Sequence, residues 1–337
     1  MIMNETIIIS HGSGGKQTHD LIHSIFFPAF NNPELNREGD AAILDISGVK
    51  LAFTTDSFVV KPIFFPGGDI GKLAVAGTVN DLAVSGAKPL YLSCGFILHE
   101  GFSIEKLKKI TLSMKQFADE CGVRIVTGDT KVVERNSNDE LFINSAGIGL
   151  IHKNAPRGKE FFQEGDAVIV TGTVGDHGAA IFSVRENMGF DTEILSDCAS
   201  VYPLAEIALE HSENIRIMRD PTRGGVAAVL NEFIENTPFG IEIVERVIPV
   251  RNDVKTICEI LGFDPLHLAC EGRMVIVLSQ AEAVSLVEKF RKTELGKGSA
   301  IIGSIRAGSK GLVSMKTIAG GERVVDSPSG ELLPRIC

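Results

Sequence analysis

The sequence predicts an α/β (α+β) protein built in two halves, each mixing long helices with a sheet. Three observations carry that prediction. At 337 residues the chain is long for one hydrophobic core, because single cores stop growing beyond roughly 250–300 residues. Strand-like apolar runs alternate with helical stretches along its length. The alternation lapses once, in "HKNAPRGKEFFQEGD", where proline, glycine and charge cluster. A boundary near 153–160 follows, giving expected segments 1–152, 153–326 and a mobile tail 327–337 that ends in Cys337.

In the first half, "AAILDIS" and "VKLAFTTDSFVV" read as short strands joined at Gly48 in a hairpin. "GDIGKLAVAGTVNDLAVSGA" reads as a helix whose small residues Ala74, Ala76 and Ala83 permit close packing. "SIEKLKKITLSMKQFADECG" is the clearest amphipathic helix. Ser103 is its candidate N-cap, Leu107, Ile110, Leu112, Met114 and Phe117 its apolar side, and Gly122 its stop. "VRIVTGDTKVV" reads as a buried strand running into a polar loop, and "ELFINSAGIGLI" as another strand. In the second half, "DAVIVTGTVG", "IRIMRDPTRGG", "GIEIVERVIPV", "GRMVIVLS", "AIIGSI" and "GLVSMKTI" supply strands. "DHGAAIFSVREN", "SVYPLAEIALEHS", "GVAAVLNEFIENT", "VKTICEIL" and "AEAVSLVEKFRK" supply helices.

Composition narrows the function. The formal net charge is -10, which argues against a nucleic-acid partner, since phosphate contacts need a basic face. Lys106, Lys108 and Lys109 read as the solvated face of a helix. No two of the six cysteines are spaced as CxxC, so a zinc knuckle or thioredoxin-type site is not expected. "MIMNETIIIS" lacks a basic signal-peptide start, and no run approaches the roughly 20 apolar residues of a membrane span. A reduced, cytoplasmic protein without a membrane partner is the expectation. Prenylation at Cys337 is not expected, because a CaaX box needs three residues after its cysteine.

Several stretches can carry chemistry. "SHGSGGKQTHD" fails the Walker A pattern, because Ser10 stands where its first glycine belongs and Gln17 follows Lys16. Gly14 and Gly15 can present backbone N–H groups to an anion, or can form a plain turn. Acidic residues recur near the ends of β-like runs: Asp40, Asp56, Asp81, Asp129 and Asp220. Each alone is a turn or cap residue. Gathered at one sheet end they would repel unless cations lay between them, and Mg²⁺ alongside substrate phosphates suits such oxygen ligands. That points to a nucleotide-dependent enzyme without a P-loop. Lys131, two residues after Asp129, is either a phosphate ligand or a surface lysine. Glu271 in "LACEGRMV" sits in apolar company. It is either a general base with a raised pKa or a salt-bridge partner of Arg273. "RDPTRGGV" either binds an anion through Arg223 or only makes a tight connection. Cys337 is either an idle terminal thiol or a nucleophile on a swinging tail.

Taken together, "FFPGGDIGKLAVAGTVNDLAVSGAKP", "VTGDTKVV", "RDPTRGG", "ACEGR" and the terminal "PRIC" resemble the HypE family of nickel–iron hydrogenase maturation proteins. That family lies in the PurM-like superfamily with aminoimidazole ribonucleotide synthetase, selenophosphate synthetase and thiamine-monophosphate kinase. "NDLAVSGAKP" and "GDT" are superfamily signals, whereas "PRIC" at the terminus is the more specific one. The resemblance implies a PurM-like two-domain fold, whose N-terminal domain forms a β-barrel-like sheet across a homodimer. It also implies ATP in the cleft between domains, contacted by Gly14, Gly15, Thr127, Gly128 and the aspartates. Cys337 would be carbamoylated by HypF, and ATP would drive dehydration of the S-carboxamide to an S-cyanate. Lys131 would stabilise the transferring phosphoryl group and Glu271 would take protons from the carboxamide nitrogen. The cyano group would pass to a HypC–HypD complex. "SHGSGGK" lacks the reactive cysteine of the selenophosphate-forming relatives. Two other readings remain: a small-molecule synthetase or kinase of the same superfamily with Cys337 idle, and a non-catalytic thiol carrier.

Overall fold

Gly48 turns the first hairpin at φ +85°, an angle glycine adopts without strain. It joins β1 (Ala42–Ile46) to β2 (Val49–Phe58) in antiparallel register. The computed structural model describes residues 6–12, 14–135, 140–185 and 193–327. Ahead of the hairpin, α1 (Lys16–Leu21), a π-helical turn (Ile22–Phe26) and α2 (Phe27–Phe30) form a helical arm. After it come a small hairpin, β3 (Phe64–Phe65) and β4 (Gly68–Asp69), then α3 (Ile70–Val84), β5 (Ala87–His99), α4 (Ile104–Glu120), β6 (Arg124–Val133) and β7 (Leu141–Ile151). The five long strands make one open sheet in the order β1-β2-β7-β5-β6.

Helices α3 and α4 cover one face of this sheet. Asp69 caps α3 by accepting from the Gly71 and Lys72 amides at 2.7 and 3.1 Å. Small residues let α3 press close: a Cβ on Gly71 would lie 2.6 Å from the Ile110 carbonyl of α4, and one on Gly77 would lie 2.8 Å from the Phe58 ring. Ser103 caps α4 through the Lys106 amide at 3.3 Å. Ile110, Met114 and Phe117 are its buried stripe, at helical spacing. Leu112, expected on that stripe, points to solvent instead, because two residues on from Ile110 is about halfway round the helix.

Among the described residues nothing covers the opposite face of the sheet. It displays Phe53, Tyr91, Ile97, Ile148 and Leu150, all more than a third exposed. Strand β6 is one of the sheet's two edges. Contrary to expectation it is exposed along its whole length, and it runs unbroken through the stretch expected to become a loop. Its apolar side chains are those of a strand paired on one side only.

The second half holds a seven-stranded sheet flanked on both faces. Its strands are β8 (Ala167–Val170), β9 (Ile215–Arg219), β10 (Phe239–Val244), β11 (Val275–Leu278), β12 (Ala300–Ala307), β13 (Val313–Lys316) and β14 (Glu322–Val324). Their order is β14-β13-β10-β12-β8-β11-β9, with only β10 and β13 parallel. The helices are α5 (Asp176–Arg185), α6 (Tyr202–His211), α7 (Gly225–Ile234), α8 (Asn252–Leu261) and α9 (Gln280–Phe290). Val168, Val170, Val275 and Val277 face α7, while Ala167, Ile169, Ile276 and Leu278 face α6 and α9. This two-residue alternation makes both faces core. Strand β10 ends at Val244, earlier than "GIEIVERVIPV" suggests, in a 3₁₀ turn over Glu245–Val247.

The halves meet where α3 packs on α6 and β9. Among the described residues no helix is long and apolar enough to cross a membrane.

Candidate active site

Three carboxylates converge at the junction of the halves. Asp40 precedes β1, Asp81 lies on α3 and Asp220 follows β9, and one oxygen from each lies within 4.8 Å of the others. The Thr54 hydroxyl is 2.8 Å from both the Asp40 carbonyl and Asp81 Oδ2. Burial, and then the charges of Asp220, Asp40 and Asp56, push the Asp81 carboxyl well above its usual range. Burial and then Asp40 raise Asp220 to about 8. Burial also raises Asp40 and Asp56, against the pull of Arg219 and Arg223 respectively. Arg219 Nη1 is 3.1 Å from both Asp40 and Glu232, so one guanidinium is shared between carboxylates.

The backbone of "RDPTRGG" makes this convergence possible. Gly224 and Gly225 both have positive φ, at +75° and +62°. A Cβ on Gly225 would lie 2.5 Å from the carbonyls of Leu266 and Leu268. The turn therefore lies flat against the segment leading to Glu271. Arg223 crosses back to the first half, 3.3 Å from the Gly12 carbonyl and 3.5 Å from Asp56. Gly14, at φ +80°, rests on Arg223 where a Cβ would come within 2.5 Å of the arginine Cβ. Gly15 is the N-cap residue of α1. The arginine of this motif thus holds the glycine segment and Asp56 together as part of a tight strand-to-helix connection.

Glu271 is 1% exposed, and its Oε1 has no hydrogen-bond partner among the described residues. Arg273 turns away from it. Its Nε lies 3.5 Å from Asp197 and its Nη2 lies 3.5 Å from Asp176. Burial, then Asp220, Asp197 and Asp56, drive the Glu271 carboxyl well above its ordinary pKa. Its main chain is pinned on both sides. The Glu271 amide donates to Asp197 Oδ1 at 3.0 Å, and Asn80 Nδ2 donates to the Glu271 carbonyl at 3.1 Å. A buried carboxyl held rigidly, with no ion pair among the described residues and only the weaker pull of Arg223 opposing its burial, has the environment of an acid–base catalyst.

Thr127, Gly128, Asp129 and Lys131 stand elsewhere in the chain, on β6. Asp129 aligns with Gly95 and, through it, with Asn144 and Ser57. That row points to the bare face of the sheet, with Lys131 two residues along on the same face, whereas Asp56, Ser145 and Cys94 point to the helices. Thr127, Gly128 and Asp129 also border a groove of about 780 Å³ against Thr111 and Met114 of α4. Cys337, with residues 328–337, lies outside the described residues. Sequence reasoning overlooked Arg219, Thr54, Asn80 and Asp197. Asn80 and Arg219 had a signal, each adjoining a chosen aspartate. Thr54 and Asp197 had none, since their partners are distant in sequence.

Residues 38–151 match the model of the AIR synthase related protein, N-terminal domain, and residues 163–316 match that of the C-terminal domain. Carbamoyl dehydratase HypE of Bradyrhizobium diazoefficiens is 48% identical over all of this chain and 97% of the relative. The chain belongs to the HypE family. A solved HypE–HypF complex contains a chain 48% identical, with a TM-score of 0.86 over 91% of this chain and 99% of that one. A HypE-family structure solved in complex with ATP is 44% identical, with a TM-score of 0.81 over 98% and 100% of the two chains. The carboxylate cluster and Glu271 therefore sit in a fold shared, at full length, with proteins of this family.

Proposed function

We propose that this chain is a carbamoyl dehydratase, which uses ATP to convert an S-carboxamide on Cys337 into an S-cyanate. The product would supply the cyanide ligands of nickel–iron hydrogenase. The observation that carries this reading is the unpartnered, buried Glu271 beside the cluster of Asp40, Asp81 and Asp220, in a chain whose full-length relative is named carbamoyl dehydratase.

The chemistry follows from the bond to be broken. An amide oxygen is a poor leaving group. The carboxamide oxygen attacks the γ-phosphorus of ATP, ADP departs, and the oxygen becomes part of a phosphate ester. The C–O bond then breaks with its electrons going to phosphate, and the nitrogen gives up two protons as the C≡N bond forms. Glu271 accepts the first of them and the departing phosphate carries the second. It must be ionised to do so, although burial and the neighbouring aspartates favour its neutral form. Binding a cation at those aspartates removes part of that opposition.

The cluster fits Mg²⁺. Its donors are all carboxylate oxygens, raised in pKa first by burial and then by mutual repulsion, and a hard cation relieves the second of these. Asp40, Asp81 and Asp220 would hold the ion, with Asp56 alongside. Bound there, Mg²⁺ supplies the positive charge that polyphosphate needs.

Asp129, Lys131 and Thr127 enter through a second copy of the chain. The bare face carrying Phe53, Tyr91, Ile97, Ile148 and Leu150 is the surface such a homodimer would bury. Asp129 and Lys131 stand on it and would face the partner, where they are placed to meet nucleotide phosphates. HypF would load Cys337, and a HypC–HypD complex would receive the cyano group. The expected experiment is ADP release on mixing the carbamoylated chain with Mg-ATP. One ADP should form per carbamoyl group, and none with Cys337→Ser. Equal ADP release from Cys337→Ser would overturn the assignment.

A further inference from the structure

We propose that the helical arm carries a second cation site, for a zinc-like divalent ion, formed by His19, His23, Glu38 and Glu235. His19 lies on α1 and His23 in the π-helical turn that continues it. The two rings share one side of the arm, with centroids 4.0 Å apart. One donor atom from each histidine and one from Glu38 all lie within 4.8 Å of one another. His23 Nε2 is 3.6 Å from Glu38 Oε1. His19 Nε2 is 3.4 Å from Oε1 of Glu235, the C-cap residue of α7.

Two imidazoles and two carboxylates form a mixed nitrogen and oxygen set. Such a set suits tetrahedral Zn²⁺, and it differs in kind from the all-oxygen aspartate cluster. One cation shared by the two imidazole nitrogens would give both carboxylates a positive partner. Metal–ligand bonds of about 2.0–2.1 Å bring tetrahedral donors to roughly 3.3 Å apart. His19, His23 and Glu38 already stand together and Glu235 touches His19, and all four side chains are between 36% and 41% exposed, which leaves them room to turn towards a shared ion.

The donors come from three places: the arm, Glu38 just ahead of the first sheet, and the end of α7 in the second half. An ion here would pin the arm to both halves. Glu38 is held at φ +52°, and its carbonyl accepts from Arg219 at 3.1 Å. The same arginine pairs with Asp40, so the new site lies one residue away from the aspartate cluster.

The test is a titration of zinc sulfate into the full-length protein with Mg²⁺ in excess. Bound zinc is counted against a chromogenic chelator, and melting temperature is followed in parallel. His19→Ala, His23→Ala and Glu38→Gln are each expected to bind one zinc fewer than the parent chain. Each should also lose the zinc-dependent rise in melting temperature. Cys337→Ser should keep both. A zinc count unchanged in all three variants, or lost only with Cys337→Ser, overturns the proposal.

Discussion

Asn80 on α3 and Glu271 in the second half are bonded directly, with the Asn80 side-chain amide donating to the Glu271 carbonyl at 3.1 Å. The same side chain donates to the Ala199 carbonyl at 3.1 Å and accepts from the Val201 amide at 2.9 Å. Asn80 adjoins Asp81 in sequence. One turn of α3 therefore places a carboxylate of the cluster and also fixes the main chain that bears Glu271.

Asn80→Ala strands the Ala199 carbonyl and the Val201 amide, and leaves the Glu271 carbonyl with only the longer bond from the Ala199 amide at 3.3 Å. Buried unsatisfied groups cost about 1–3 kcal/mol apiece, with partial relief by water. A loss of roughly 2–4 kcal/mol is expected in denaturant unfolding. Turnover should fall with it, because Glu271 loses one of the three hydrogen bonds that hold its main chain. A variant with parental stability would show that the junction is held elsewhere.

Glu271→Gln keeps the shape of the side chain and removes the base. Dehydration should fall by about 10²–10⁴, the usual worth of a positioned base, while ATP binding persists. In the parent protein the rate should rise with pH, since a base works only when ionised and this carboxyl is held well above its ordinary pKa. A pH-independent rate, or a fully active Glu271→Gln, would remove Glu271 from the reaction.

Asp220 makes stability depend on pH. Its carboxyl is raised from 3.8 to about 8. Between those values the folded chain keeps a proton that the unfolded chain has released. Stability without Mg²⁺ therefore falls as pH rises through that window, and is greatest at its acid end. Mg²⁺ should reverse the trend, stabilising more strongly towards pH 8. Asp220→Asn should be more stable than the parent without metal at that alkaline end, and should weaken the Mg²⁺ response. Thermal melts with and without Mg²⁺ across the range check both signs.

How much of this was legible in the sequence varies by residue. Helix α4 was readable because a capping serine, a helical apolar stripe and a closing glycine agree. The hairpin at Gly48 was readable for the same reason, local chemistry matching local structure. Asp40, Asp81 and Asp220 were readable as candidates by their neighbours. Their meeting was not, because it depends on how α3 packs between the halves. Asp129 shows the limit most clearly: its motif resembles theirs, yet the register of β6 turns it to the other face. Period-two alternation gives the face of a strand relative to its neighbours, and says nothing about what covers that face.

The bare face makes its own prediction. Phe53→Glu or Ile148→Glu puts a charge where two apolar sheets would meet. Either variant should sediment as a monomer when the parent sediments as a dimer. If Asp129 and Lys131 act across that interface, the monomer should also lose phosphoryl transfer. Full activity in a monomeric variant would confine the reaction to one protomer.

The most direct test of the central claim is the intact mass of the carbamoylated chain before and after Mg-ATP. The account predicts that an adduct mapped to Cys337 loses the mass of one water in the parent protein, and keeps it in Glu271→Gln. An adduct on Cys337 that Mg-ATP leaves unchanged in the parent protein would contradict it, leaving a thiol carrier without the chemistry.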